Sequence, residues 1–128
     1  MTKRVLSILE SAYRATLEEQ DDTVVWLTHA MRGAGGELAV LLRGNAVNTA
    51  VKGQDPSGLR FGDRQIKHRT DLADDLAKLV AKGVPVSVVS EDLVDRGLTQ
   101  ADLVPGLQLV PRAGVPDLFE KFDQVWHW

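Results

Sequence analysis

Two hydrophobic periods alternate along this chain. Short apolar runs rich in β-branched residues are separated by segments in which apolar side chains return every three or four positions. The runs at residues 4–9, 38–42, 84–89 and 107–110 read as strands, the first of them buried; the near-continuous apolarity of 38–42 suits a parallel strand covered on both faces. Pro85 is tolerated because it stands near a strand start. Between the runs, residues 24–31 read as a helix with Asp22 or Thr23 as its cap and the glycines of 33–36 as its end. The turn Arg43-Gly44-Asn45 leads into a short helix through Ala46, Val47, Ala50 and Val51. The best-defined helix places Leu72, Leu76, Leu79 and Val80 on one face, with Thr70 as cap, aspartates at its positive end, lysines at its negative end and Gly83 as its stop. Ser90 and Thr99 each open a short helix. Pro116 opens a final helix carrying Leu118, Phe119, Phe122 and Val125. Residues 52–69 lose all periodicity and read as a long surface loop.

Strand and helix repeated in this order predict an α/β protein: a three-layer α/β/α sandwich around a mostly parallel sheet of four to five strands. At 128 residues, 44% of them hydrophobic, one domain spanning 1–128 is expected, large enough for a core without staples. The chain has no cysteine, which excludes disulfides, zinc-thiolate sites and thiol chemistry. A formal charge of −3 gives no electrostatic case for nucleic acid. No apolar run approaches the roughly 18 residues of a membrane span, and the short run after Lys3-Arg4 makes neither an anchor nor a signal, so no membrane and a cytoplasmic setting are expected.

In parallel sheets ligands bind beyond the carboxyl ends of the strands, so the chemistry is sought at residues 7–13, 44–45, 89–92 and 111–112. No glycine-rich dinucleotide fingerprint or Walker lysine stands there. The backbone of Gly44-Asn45-Ala46 can present N–H groups to an anion, although Gly44 as a tight turn and Asn45 as a helix cap explain the same residues. The histidines His29, His68 and His127 are scattered without metal-ligand spacing; His29, among apolar neighbours, reads as a core or interface residue. The basic run Arg60, Arg64, Lys67 and Arg69 is a solvated loop or an anion clasp, and the acidic run at residues 18–22 is mostly solubility and helix-start charge. Trp126 and Trp128 close a C-terminal segment too aromatic to be left exposed, packing on the chain's own helix or in a subunit interface. Trp26, on a helix whose apolar residues wrap more than one face, is a further interface candidate.

Three places in this order carry a resemblance: Gly44-Asn45-Ala46-Val47 after a strand, Gly83-Val84-Pro85-Val86 after an amphipathic helix, and Arg96-Gly97-Leu98 after the next strand. There the chain resembles the DsrE/DsrF-like family of sulfur-relay proteins, with its TusD, TusC and YchN-like groups. The resemblance implies a persulfide-carrying cysteine six residues past the glycine of the second motif. Six past Gly83 is Val89, which has no nucleophile, and the neighbouring Ser90 hydroxyl cannot form a persulfide. The family's non-carrier members, which look like structural partners of carrier subunits, and its trimers and hexamers are the relevant comparison.

The leading expectation is therefore a non-carrier DsrE-like accessory protein, a homo-oligomer or a partner of related subunits, with Trp26, Trp126 and Trp128 at interfaces. The alternative is a small-molecule or anion-binding module with its pocket at Ser7, Gly44, Asn45, Val89 and Ser90. A hydrolase using Ser7 or Ser90 with Glu10 or Glu91 comes last, since nothing in the spacing shows that these residues meet. No catalytic residue, metal ligand or cofactor is assigned.

Overall fold

The computed structural model describes residues 3–12, 22–54, 60–65 and 71–128. Its centre is a five-stranded sheet in the order β6-β5-β2-β1-β7, built from β1 (Arg4–Leu9), β2 (Glu37–Leu42), β5 (Val86–Val89), β6 (Gln108–Val110) and β7 (Gln124–His127). Every neighbouring pair is parallel, with Ser7 opposite Val40 on one side and Trp126 on the other. The α/β class and the mostly parallel sheet expected from the sequence are what the chain adopts.

Alternation along each strand divides the core in two. Leu9, Val40, Leu42, Val86 and Val88 face a layer made by α1 (Thr23–Gly33), the 3₁₀ segment Gly44–Ala50 and α2 (Leu72–Ala81), where Val24, Val25, Val47, Leu76 and Leu79 are buried. Leu6, Ile8, Ala39, Leu41 and Val89 face the other way, covered by Val115 of α4 (Val115–Phe119) and by Leu118, Phe119 and Phe122. Strands apolar on both faces are thus explained by helices on both faces.

Local signals operate as physical chemistry requires. Asp22 caps α1, its Oδ1 accepting from the N–H groups of Val24 and Val25 at 2.9 and 3.1 Å. His29 joins α1 to α2: Nε2–H donates to the Asp75 carbonyl and Nδ1 accepts from the Lys82 ammonium, both at 3.0 Å. Thr99 and Asp102 form a reciprocal capping box.

Four expectations are corrected. The cap of α2 is Asp71, whose carboxylate accepts the Asp74 N–H at 3.0 Å, and Thr70 lies outside the described residues. Asn45 does not cap the 3₁₀ segment, which has no side-chain cap. The loop at 52–69 is not structureless throughout, since β3 (Arg60–Phe61) and β4 (Arg64–Gln65) pair antiparallel; Lys67, His68 and Arg69 lie outside the described residues, as do residues 18–21. The final helix stops at Phe119, and Val125 belongs to β7, an edge strand on β1. Phe119, Phe122 and Val125 mimic helical spacing, but the Asp123 N–H bonds the Arg4 carbonyl at 2.8 Å and feeds the chain into the sheet.

Trp126 stands in β7 and Trp128 directly after it, and their rings meet edge to face at 6.5 Å. Trp26 is 58% exposed on α1. No helix among the described residues is long and apolar enough to cross a membrane.

Candidate functional site

Parallel strands end together, and here their carboxyl ends deliver charge to one place. Glu10 follows β1, Arg43 and Gly44 follow β2, Asp92 lies in α3 (Ser90–Val94) directly after β5, and Arg112 lies two residues past β6. With Asn45, Val89, Arg96, Val115 and Pro116 they line a cleft of about 610 Å³. That volume lies within the usual range for small-molecule sites.

Asp92 organises this cleft. Its Oδ2 accepts the Gly44 N–H at 2.8 Å and its Oδ1 accepts from Arg112 Nη2 at 2.8 Å. Gly44 reaches this position with φ +56°, a left-handed conformation that a residue with a side chain adopts only under strain. Burial pushes the Asp92 carboxyl up, but the Gly44 N–H and the Arg112 guanidinium, with Arg96 nearby, outweigh it and hold the carboxyl below the usual range. Asp92 in turn raises Arg112 above the ordinary arginine value. The backbone N–H of Arg112 donates to both Glu91 oxygens at 2.9 and 3.0 Å, and with the Glu91 N–H and the Ser90 hydroxyl it holds Glu91 below the carboxylate range.

The second cluster is built on Glu10. Its Oε1 accepts from Arg43 Nε at 3.0 Å and its Oε2 lies 3.1 Å from His127 Nε2, which ties together residues at the ends of β1, β2 and β7. Arg96 is held differently. Nε and Nη2 both donate to Asn45 Oδ1, at 3.3 and 2.7 Å, and Nη1 donates to the Asp92 carbonyl at 3.0 Å. Among the described residues, no carboxylate pairs with this guanidinium.

Of the residues expected here, Gly44, Asn45 and Val89 line the cleft. Ser7 does not: it is 2% exposed in mid-strand, two residues short of the strand end. Nor does Ser90, whose hydroxyl donates to Glu91 Oε1 at 3.0 Å and lies 3.4 Å from the Val110 carbonyl. The N–H groups of Gly44 and Ala46 cradle no anion, because Asp92 takes the first and the carbonyls of Glu10 and Arg43 take the second. Arg60 and Arg64 stand on the β3–β4 hairpin, away from the cleft lining. The charged residues Glu10, Arg43, Asp92, Arg96 and Arg112 were missed as a set. Four of them stand in or next to the strand-end windows, and only their charge was needed to pick them out over the serines. Among the described residues no group of three His, Asp or Glu side chains could hold a metal ion.

Among solved structures the chain is similar to the YchN protein of E. coli, at 21% identity, a TM-score of 0.73 and full coverage of both chains. It is also similar to a protein of unknown function from Methanobacterium thermoautotrophicum, at 20% identity and a TM-score of 0.60, covering 97% of this chain and 98% of that one. A third, a conserved protein of unknown function from Bacteroides thetaiotaomicron, is 8% identical with a TM-score of 0.67, covering 98% and 95%. No protein-family model and no curated protein matches the chain. The chain has the YchN fold, and identities at this level speak to fold alone.

Proposed function

We propose that this chain is a DsrE-like protein that carries no persulfide and instead holds a small anion reversibly in the cleft at its strand ends, acting as a single domain over residues 1–128 in the cytoplasm. The observation that carries this reading is the guanidinium of Arg96, which lines the cleft and, among the described residues, hydrogen-bonds only neutral oxygens. The lining sets three arginines against the carboxylates of Glu10 and Asp92, and Asp95 and Glu91 also engage Arg112. Arg43 and Arg112 are each already engaged by a carboxylate, so Arg96 is the cation with most to gain from a ligand. Val89, at the position where the resemblance implies the sulfur-carrying cysteine, puts an apolar side chain in the same cleft.

Thermal melting tests this reading. Acetate or phosphate, added against chloride at constant ionic strength, should raise the melting temperature of the wild type by several degrees, as a ligand at a hundred times its Kd adds about 2.7 kcal/mol. Arg96→Gln should abolish the increment while keeping a cooperative transition. Equal increments in both proteins, or none in the wild type, contradict it.

A second reading rests on β7. This edge strand carries no Lys, Asp, Glu or Pro over Gln124–His127, and Val125 and Trp128 beside it are about 40% exposed. Natural edges are commonly blunted by charge or proline, as Pro111 does directly after β6 at the opposite edge. We propose that the protein assembles through β7 with copies of itself or with related DsrE-like subunits of a sulfur-relay system, as a trimer or hexamer, with Trp26 available to a second interface. A strictly monomeric protein in sedimentation at high concentration contradicts this reading and leaves the first standing.

A further inference from the structure

We infer that the anion held in this cleft is a monocarboxylate on a short apolar body, and that the Asn45 carboxamide stands on Arg96 where that carboxylate binds. The inference rests on the anion-binding reading above and names its ligand class. Three observations lead to it.

The first is the geometry of Arg96. The Nη1 side is turned to the Asp92 carbonyl, so the Nε–Nη2 edge is the one the side chain offers. Both nitrogens of that edge now share one amide oxygen, at 3.3 and 2.7 Å. A carboxylate matches the same edge with two oxygens, one to each N–H, and adds charge to both bonds. Displacing Asn45 breaks no ion pair. Its side chain lies toward solvent, so water can satisfy the freed amide.

The second is charge. Three arginines face the Glu10 and Asp92 carboxylates in the lining, and Asp95 and Glu91 also stand on Arg112, so each further negative charge on a ligand is opposed and a monoanion is favoured over a dianion. A dianion would face Asp92 and Glu10 uncompensated.

The third is the composition of the remaining wall. Val89, Val115 and Pro116 offer no polar side-chain atom. Val89 and Val115 are buried at 2% and 8% exposure and Pro116 is exposed, so the apolar surface open to a ligand is chiefly that of Pro116; a fully hydrated oxyanion would lose water against it without replacement, whereas a short alkyl chain would not.

Calorimetric titration of the full chain with acetate, butyrate and hexanoate, with inorganic phosphate as the headgroup control and 1-butanol as the tail control, tests this at fixed ionic strength. The affinity should rise about two- to fourfold per added methylene, butyrate should bind more tightly than phosphate, and 1-butanol should not bind. Asn45→Ala, at an exposed position, should tighten butyrate roughly threefold or more by removing the internal competitor. Arg96→Lys should weaken it roughly tenfold by removing the two-pronged edge. Phosphate binding as tightly as butyrate, an affinity independent of tail length, or weaker binding in Asn45→Ala overturns the inference while leaving anion binding intact. No heat from any anion, phosphate included, overturns both.

Discussion

Asp92 and Gly44, 48 residues apart in sequence, are joined by a 2.8 Å hydrogen bond from the glycine N–H to the aspartate Oδ2. The bond closes the end of β2 against the start of α3, and Arg112 locks the other oxygen from beyond β6. Three strand ends are thereby fixed around one buried carboxylate, which is itself an internal anion in the cleft proposed to take an external one.

Asp92→Asn follows directly. A hydrogen-bonded carboxylate replaced by an amide costs about 1–3 kcal/mol of stability at neutral pH. Because the Asp92 carboxyl is held below its ordinary value in the fold, its stabilisation is complete above the unfolded carboxyl's pKa. It is lost as the pH falls through the lower folded value. Urea denaturation between neutral and acid pH should therefore show a gap between wild type and variant that narrows toward acid. Removal of the internal negative charge should also tighten anion binding in the same variant, so stability and affinity move in opposite directions.

Gly106 adopts φ +90°, and a Cβ there would stand 2.8 Å from Val80 Cγ1. Gly106→Ala should destabilise by about 1–2 kcal/mol from the left-handed backbone alone, and by more from the contact. In a Val80→Ala background the contact part should disappear and the backbone part remain, as denaturant midpoints would show.

Leu41, fully buried at the centre of β2, belongs to the side of the sheet covered by the five-residue α4 and the aromatic residues after it. Leu41→Ala should cost about 2–5 kcal/mol by transfer and cavity terms. A loss below 1 kcal/mol would mean that this side collapses into the gap.

Val125→Lys places a charge on the open edge of β7 without touching the strand's bonds to β1. If β7 joins copies, sedimentation velocity should show the variant dissociated at concentrations where the wild type is assembled, with circular dichroism unchanged.

The central strands β1, β2 and β5 were legible because they are buried on both faces, and near-continuous runs such as Leu38-Ala39-Val40-Leu41-Leu42 have few other readings. The α1 cap was legible to within two neighbours, Asp22 or Thr23, for a local reason, and the short carboxylate just before the apolar run is the one that caps. What the sequence hid was set by distant partners. Asn45 looks like a cap until Arg96 arrives from 51 residues away to take its oxygen. Val125 looks like the next turn of a helix until β1 offers it an edge. A serine at a strand end suggests chemistry in isolation, whereas Arg43, Asp92 and Arg112 acquire meaning only from one another.

The most direct test of the central claim is a nitrogen-proton correlation spectrum of the labelled protein during titration with butyrate. Saturable shifts concentrated at the amides of Gly44, Asn45, Asp92, Arg96 and Arg112, absent in Arg96→Gln, are the expected result. Saturable shifts located away from the strand ends, or no saturable shift at all, would contradict the account.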